Sequence, residues 1–105
     1  MPDTRVATLT IASGAAISNV LTLNDGAALR VWTAVVYAPA TLPEAVTVEV
    51  SADEVTWDTL RANGEDVALA AGKADPLIGL ACHALRLKAG ANVAADRVFT
   101  VHAVS

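Results

Sequence analysis

Hydrophobic and polar residues alternate with a period of two along several short stretches of this chain, the pattern of β-strands with one covered face. The clearest stretch runs from Val46 to Ser51, with Val46, Val48 and Val50 on one side and Thr47, Glu49 and Ser51 on the other. The segment His83 to Ala89 repeats it, setting Leu85 and Leu87 inward against Arg86 and Lys88 outward. In the last segment, Val98 to Val104, Phe99, Val101 and Ala103 oppose Thr100 and His102. Ala28 to Tyr37 is longer and more continuously apolar. It is expected to be a central strand covered on both faces, or one whose outer face is an interface.

Turn signals punctuate these stretches at Ser13-Gly14, Asn24-Asp25-Gly26, Pro39 to Pro43, Ala52-Asp53-Glu54, Asn63-Gly64, Gly72-Lys73, Asp75-Pro76 and Gly90-Ala91-Asn92. Gly and Asn reach positive φ cheaply, and Pro presets the corner of a turn. Short strands with turns about every 8–12 residues are the mark of an all-β sandwich or barrel. Eight strands are predicted, over about 5–11, 16–23, 28–37, 45–51, 56–61, 65–69, 83–89 and 97–104. They fit a two-sheet antiparallel β-sandwich of jelly-roll type, with a seven-stranded immunoglobulin-like sandwich as the alternative. No window carries a sustained helical stripe between caps. Residues 70–82 are the least strand-like and are expected to form a loop, with a short helical turn after Asp75-Pro76.

Composition sharpens this picture. The chain has 105 residues, enough for one domain over 1–105, and 54% of them are hydrophobic. Of these 23 are Ala and 14 are Val, while the only aromatics are Trp32, Tyr37, Trp57 and Phe99. The core must be made of small and β-branched pieces. Charged residues are 17%, below the usual quarter or so, and with so much apolar content intrinsic disorder is excluded. The polar, unpatterned stretch 1–5 is expected to be a flexible arm that orders on contact.

The net charge is −4, and the seven basic residues are scattered singly. A nucleic-acid partner, which calls for clustered Lys and Arg, is not expected, nor is an anionic membrane. The lone Cys82 can form no internal disulfide. The start, Met-Pro-Asp-Thr-Arg, has no apolar stretch of signal-peptide type, and no run nears the roughly 18 apolar residues of a membrane span. The expectation is a soluble protein that folds where it is made.

Reactive chemistry finds little to work with. Cys82 and His83 are adjacent, so on a strand they would face opposite ways and could not pair as thiolate and imidazole. No Gly-x-Ser-x-Gly elbow, phosphate loop or dinucleotide fingerprint occurs. With Cys82, His83 and His102 as the whole Cys and His complement, a four-ligand zinc site cannot be assembled from these residues. The acid pairs Asp53-Glu54 and Glu65-Asp66 lie at predicted turns without EF-hand spacing, so solvated turn carboxylates are the simpler reading. No metal or cofactor is expected. Trp32 or Trp57 could stack on a sugar ring if exposed, but one of them is needed to fill the core.

The order of motifs points elsewhere. Ile11-Ala12-Ser13-Gly14 and Pro39-Ala40 are followed by Val46-Thr47-Val48-Glu49-Val50-Ser51-Ala52-Asp53 and Thr56-Trp57-Asp58-Thr59-Leu60. Then come Asn63-Gly64-Glu65-Asp66-Val67, Leu85-Arg86-Leu87-Lys88-Ala89-Gly90 and Asp96-Arg97. Over residues 8–104 this resembles small virion proteins of tailed bacteriophages, of the decoration or head-associated type. Two positions depart from that pattern. Glu54 stands where the family has a turn glycine, and Leu42 where an aromatic residue is common.

The resemblance implies a non-enzymatic β-sandwich, most simply a capsid decoration or cement protein that binds the major capsid protein or other virion proteins. It would assemble in the host cytoplasm and reside on the virion. A neck, tail or baseplate adaptor and a carbohydrate-binding adhesion module are the alternatives. A homo-oligomer is expected, with a trimer first on family analogy. Arg and aromatic side chains favour interface hot spots, which singles out Arg30, Trp32, Tyr37, Arg86, Lys88 and Arg97. For Arg86 and Lys88 the plainer reading is a solvated strand face, and for Asp96-Arg97 a local pair that steadies a turn.

Overall fold

A computed structural model describes residues 3–24 and 29–105. In chain order the strands are β1 (Thr4–Ile11), β2 (Leu21–Thr22), β3 (Trp32–Tyr37), β4 (Val46–Ser51), β5 (Asp58–Thr59) and β6 (Arg61–Ala62). They continue as β7 (Glu65–Asp66), β8 (Ala68–Leu69), β9 (Ala74–Leu80), β10 (Ala84–Ala89) and β11 (Arg97–Val104). No helix occurs among the described residues.

The strands form an all-β, two-sheet antiparallel sandwich. One sheet has the order β1-β11-β3-β9, and the other β2-β10-β4-β5 with β8 also pairing β4. A separate hairpin, β6-β7, turns at Asn63 (φ 55°) and Gly64 (φ 80°). That pair of positive φ angles is what the Asn-Gly signal provides. All the pairings are antiparallel.

The core lies between the two sheets. Leu9, Trp32, Val36, Phe99 and Val101 come from the four-stranded sheet, and Val46, Val48, Leu85 and Leu87 from the other. Trp32 and Phe99 are the largest side chains with no exposed surface. Burying a ring such as Phe99 contributes about 1.5–3 kcal/mol, so the scarce aromatics are placed where they count most. The alternation read in β10 and β11 holds: Leu85, Leu87, Phe99, Val101 and Ala103 are buried, while Lys88 and His102 are exposed.

Several expectations are corrected. Residues 70–82 contain no helical turn; 74–80 form β9, an edge strand beside β3. Pro76 concealed it, since proline is tolerated on an edge that needs no further N–H donor. Gly79 (φ 73°) lies where the register slips opposite Trp32 and Ala34, a bulge that glycine allows. The predicted strand 16–23 is interrupted. Ala16 O accepts Ala89 N–H and Ser18 N–H donates to Leu87 O, so 16–18 runs beside β10; the chain then breaks at Asn19-Val20 before β2.

Strands predicted over 56–61 and 65–69 are cut into the two-residue pieces β5 to β8. The long apolar stretch 28–37 yields β3 only from Trp32, with its first residue outside the described residues. β3 is central, yet covered on one face: Trp32, Ala34 and Val36 are buried while Thr33 and Tyr37 are exposed. In β4 the supposed solvent side is covered instead, with Glu49 and Ser51 buried. The arm 1–5 is structured from Asp3 onward. Thr4 and Arg5 belong to β1, Asp3 N–H donates to Ser105 Oγ at 3.0 Å, and Ser105 N–H donates to Asp3 O at 2.9 Å. Its first two residues lie outside the described ones.

Candidate functional site

Polar side chains gather in three places. The first surrounds the turn after β4. Ser51 Oγ accepts the Glu54 N–H at 2.8 Å and donates to Asp53 Oδ1 at 3.1 Å. Asp53 Oδ1 also accepts the Val55 and Thr56 N–H groups at 2.9 Å each. Those backbone donors, with the Ser51 hydroxyl, hold the Asp53 carboxyl below its ordinary range. The turn is the tight one that a glycine usually serves: Glu54 takes φ 61° without being glycine. Its Oε2 lies 2.7 Å from His83 Nε2.

This brings His83 within hydrogen-bond reach of an acid, at an exposed turn. The neighbouring thiol adds no nucleophile to this pair, because burial pushes Cys82 up and away from the reactive thiolate. Cys82 and His83 lie between β9 and β10 rather than on a strand. Asp53 is satisfied by its own turn, and no group of three or more His, Cys, Asp or Glu residues placed to hold a metal occurs among the described residues. Glu65 and Asp66 are exposed on β7, with Asp66 3.6 Å from Arg61.

The second cluster covers the outer side of the β4–β10 pair. Arg86 Nε donates to Glu49 Oε1 at 2.8 Å, and its guanidinium lies 4.2 Å from the Trp57 ring centroid. The third joins Arg97, at the start of β11, to Glu44 in the β3–β4 connection. Arg97 therefore does not make the local pair expected with Asp96, whose carboxylate accepts the Ser13 N–H at 2.8 Å.

The six interface candidates fall on different surfaces. Trp32 is withdrawn into the core, with Nε1–H donating to Asn24 Oδ1 at 3.3 Å and the Arg5 guanidinium 5.3 Å from its ring. It offers neither an interface anchor nor a sugar platform. Trp57 is partly covered by Arg86. Arg86 and exposed Lys88 lie on the outer side of one sheet, Tyr37 on the outer side of the other, and Arg97 is committed to Glu44. Arg30 is exposed near the chain end, its Nη1 3.4 Å from Ser105 Oγ.

Tyr37 marks an uncharged surface. On the outer side of the four-stranded sheet its ring meets His102 edge-on, with centroids 5.3 Å apart. Pairing aligns Thr8, Thr100, Tyr37 and Ala74 in one row, and Val6, His102, Val35 and Pro76 in the next. Neither row, nor the rest of that face, holds an Asp, Glu, Lys or Arg. Sequence reasoning singled out Tyr37 alone here. The missed signal was the absence of charge at every second residue of β1 and β11.

No protein-family model matches the chain, and no curated protein matches it significantly. Among solved structures the chain is similar to a disulfide-linked pilus of Bacillus endospore appendages, with a TM-score of 0.55 and 15% identity, over 99% of this chain and 85% of that one. At that identity the likeness is one of fold.

Proposed function

We propose that this chain is a non-enzymatic structural protein that works as one tile of a multi-copy assembly, a capsid decoration protein of a tailed-phage virion. The observation that carries the reading is the uncharged outer side of the four-stranded sheet, on a protein whose other sheet carries Arg86 and exposed Lys88 on its outer side. Interface cores are depleted of charge, and an uncharged surface is cheap to take out of water. The ordered motifs over residues 8–104 supply the phage context. Their turn elements fall on real turns, including the tight one at Glu54 where the family glycine is missing.

The same properties suit a neck or tail adaptor, and copy number separates the two. Purified particles of the virus that carries this sequence, imaged and quantified, should hold the chain in hundreds of copies spread over the shell lattice. A count of six or twelve would assign it to the neck or tail. Particles free of it would overturn the virion reading.

A second reading, a subunit of a surface appendage, is favoured by the fold likeness to a pilus. It predicts that the purified chain grows into filaments without any shell. Discrete soluble species under all conditions would remove it.

A further inference from the structure

The geometry points to the outer side of the four-stranded sheet as a contact between two copies of this chain, packed sheet on sheet about a two-fold axis. This rests on the assembly reading above and names the partner for one face.

The face is open to solvent. Val6 is 65% exposed, Val104 51% and Tyr37 46%, so no other part of the chain among the described residues covers it. Four strands about 4.8 Å apart and up to eight residues long present roughly 500 Å². Two copies would bury on the order of 1,000 Å², the lower bound for a specific contact and the range of a weak, concentration-dependent one. Exposed β-branched rows of this kind mark an interaction surface rather than ordinary solvated strand.

Charge selects the occupant. Each copy carries −4, so two copies repel over most of their surfaces. A partner presenting charged groups would strand them unpaired against the valines and threonines, at heavy desolvation cost. The same face of a second copy brings no such groups. Valine then meets valine, threonine hydroxyls find hydroxyls, and the Tyr37–His102 ring pair provides an aromatic anchor near the middle. Twisted sheets pack this way about 10 Å apart. A self-complementary face joins copies in pairs; three-fold order would need a further, heterologous contact.

Sedimentation of the purified chain across a concentration series tests the pairing. The wild type should show the mass of two chains, falling to one on dilution. His102→Lys sets two ammonium groups against each other across the axis, and it should weaken pairing at least 100-fold. Val6→Lys should do the same, and Lys88→Glu on the opposite sheet should not. These side chains are outside the core, so urea midpoints measured on dilute, single-chain samples should stay within error of one another. A wild type that remains a single chain at every concentration overturns the inference, as does pairing indifferent to both lysines. A chain that stays single yet occupies its particle also overturns the pairing and leaves the virion reading intact. A chain that pairs through this face but is absent from particles does the reverse.

Discussion

Arg97 grips Glu44 with two prongs of its guanidinium, Nε 2.9 Å from Oε1 and Nη2 3.2 Å from Oε2. The two side chains are only 11% and 13% exposed, so a pair formed far apart in sequence ties β11 to the β3–β4 connection in a place that water barely reaches. Arg97, as the hydrogen-bond donor, holds the Glu44 carboxyl below its ordinary range against the opposing effect of burial. Because the folded value is the lower one, the pair stabilises the fold fully above the unfolded carboxylate range and loses that contribution as pH falls through the folded value. Glu44→Gln should lower the thermal midpoint at neutral pH, and the gap to wild type should close in acid. A gap that stays constant down to the lowest pH would remove the ionic contribution.

Asn24 satisfies four groups at once. Its Oδ1 accepts Arg30 N–H and Trp32 Nε1–H, and its Nδ2 donates to Arg30 O and Cys82 O. Replacing it by Leu removes these four hydrogen bonds beside the core. At about 1–3 kcal/mol for each group truly stranded, Asn24→Leu should destabilise by about 2–4 kcal/mol in urea unfolding, allowing for water reaching some of them. Near-wild-type stability would show that water or other groups take over these hydrogen bonds.

At Glu54 the backbone and the side chain make opposing demands. A left-handed conformation costs a non-glycine residue about 1–2 kcal/mol, while the carboxylate reaches His83. Glu54→Ala keeps the strain and loses the contact, so it should be the least stable form. Glu54→Gly loses the contact but relieves the strain, and should exceed the alanine variant by about 1 kcal/mol. Equal stabilities for the two variants would mean that the turn relaxes when the side chain is cut back.

Cys82 provides a kinetic readout. Half-burial raises the thiol above its usual range, so in the native protein a thiol reagent should modify it several-fold more slowly than a free cysteine at the same pH. In denaturant the difference should vanish. Native labelling faster than the free thiol would reopen the case for a reactive centre beside His83.

The core-facing sides of β4, β10 and β11 were legible, since each strand places apolar residues at every second position facing the core. What escaped was set by tertiary contacts. β9 looked like a loop because Pro76 and Gly79 usually end strands, yet an edge position beside β3 tolerates both. The break in the 16–23 stretch comes from Asn19, whose Oδ1 accepts the Thr10 N–H at 2.8 Å and whose Nδ2 donates to Thr8 O at 3.2 Å. That side chain occupies the edge of β1 as a neighbouring strand would, which no local pattern announces. Glu49 reads as a solvated residue in the sequence, yet Arg86 on the neighbouring strand takes up its carboxylate while its guanidinium lies over the Trp57 ring. Choosing interface residues by type gave Arg97 and Trp32, both already committed within the fold. The candidate face is marked instead by what it lacks.

The reciprocal bonds between Asp3 and Ser105 put the first and last described residues side by side. Any peptide attached ahead of Asp3 and any attached after Ser105 would leave the sandwich from a single corner. A short connector could therefore close the polypeptide into a ring, or seat the whole sandwich inside a surface loop of an unrelated host, with its sheets undisturbed.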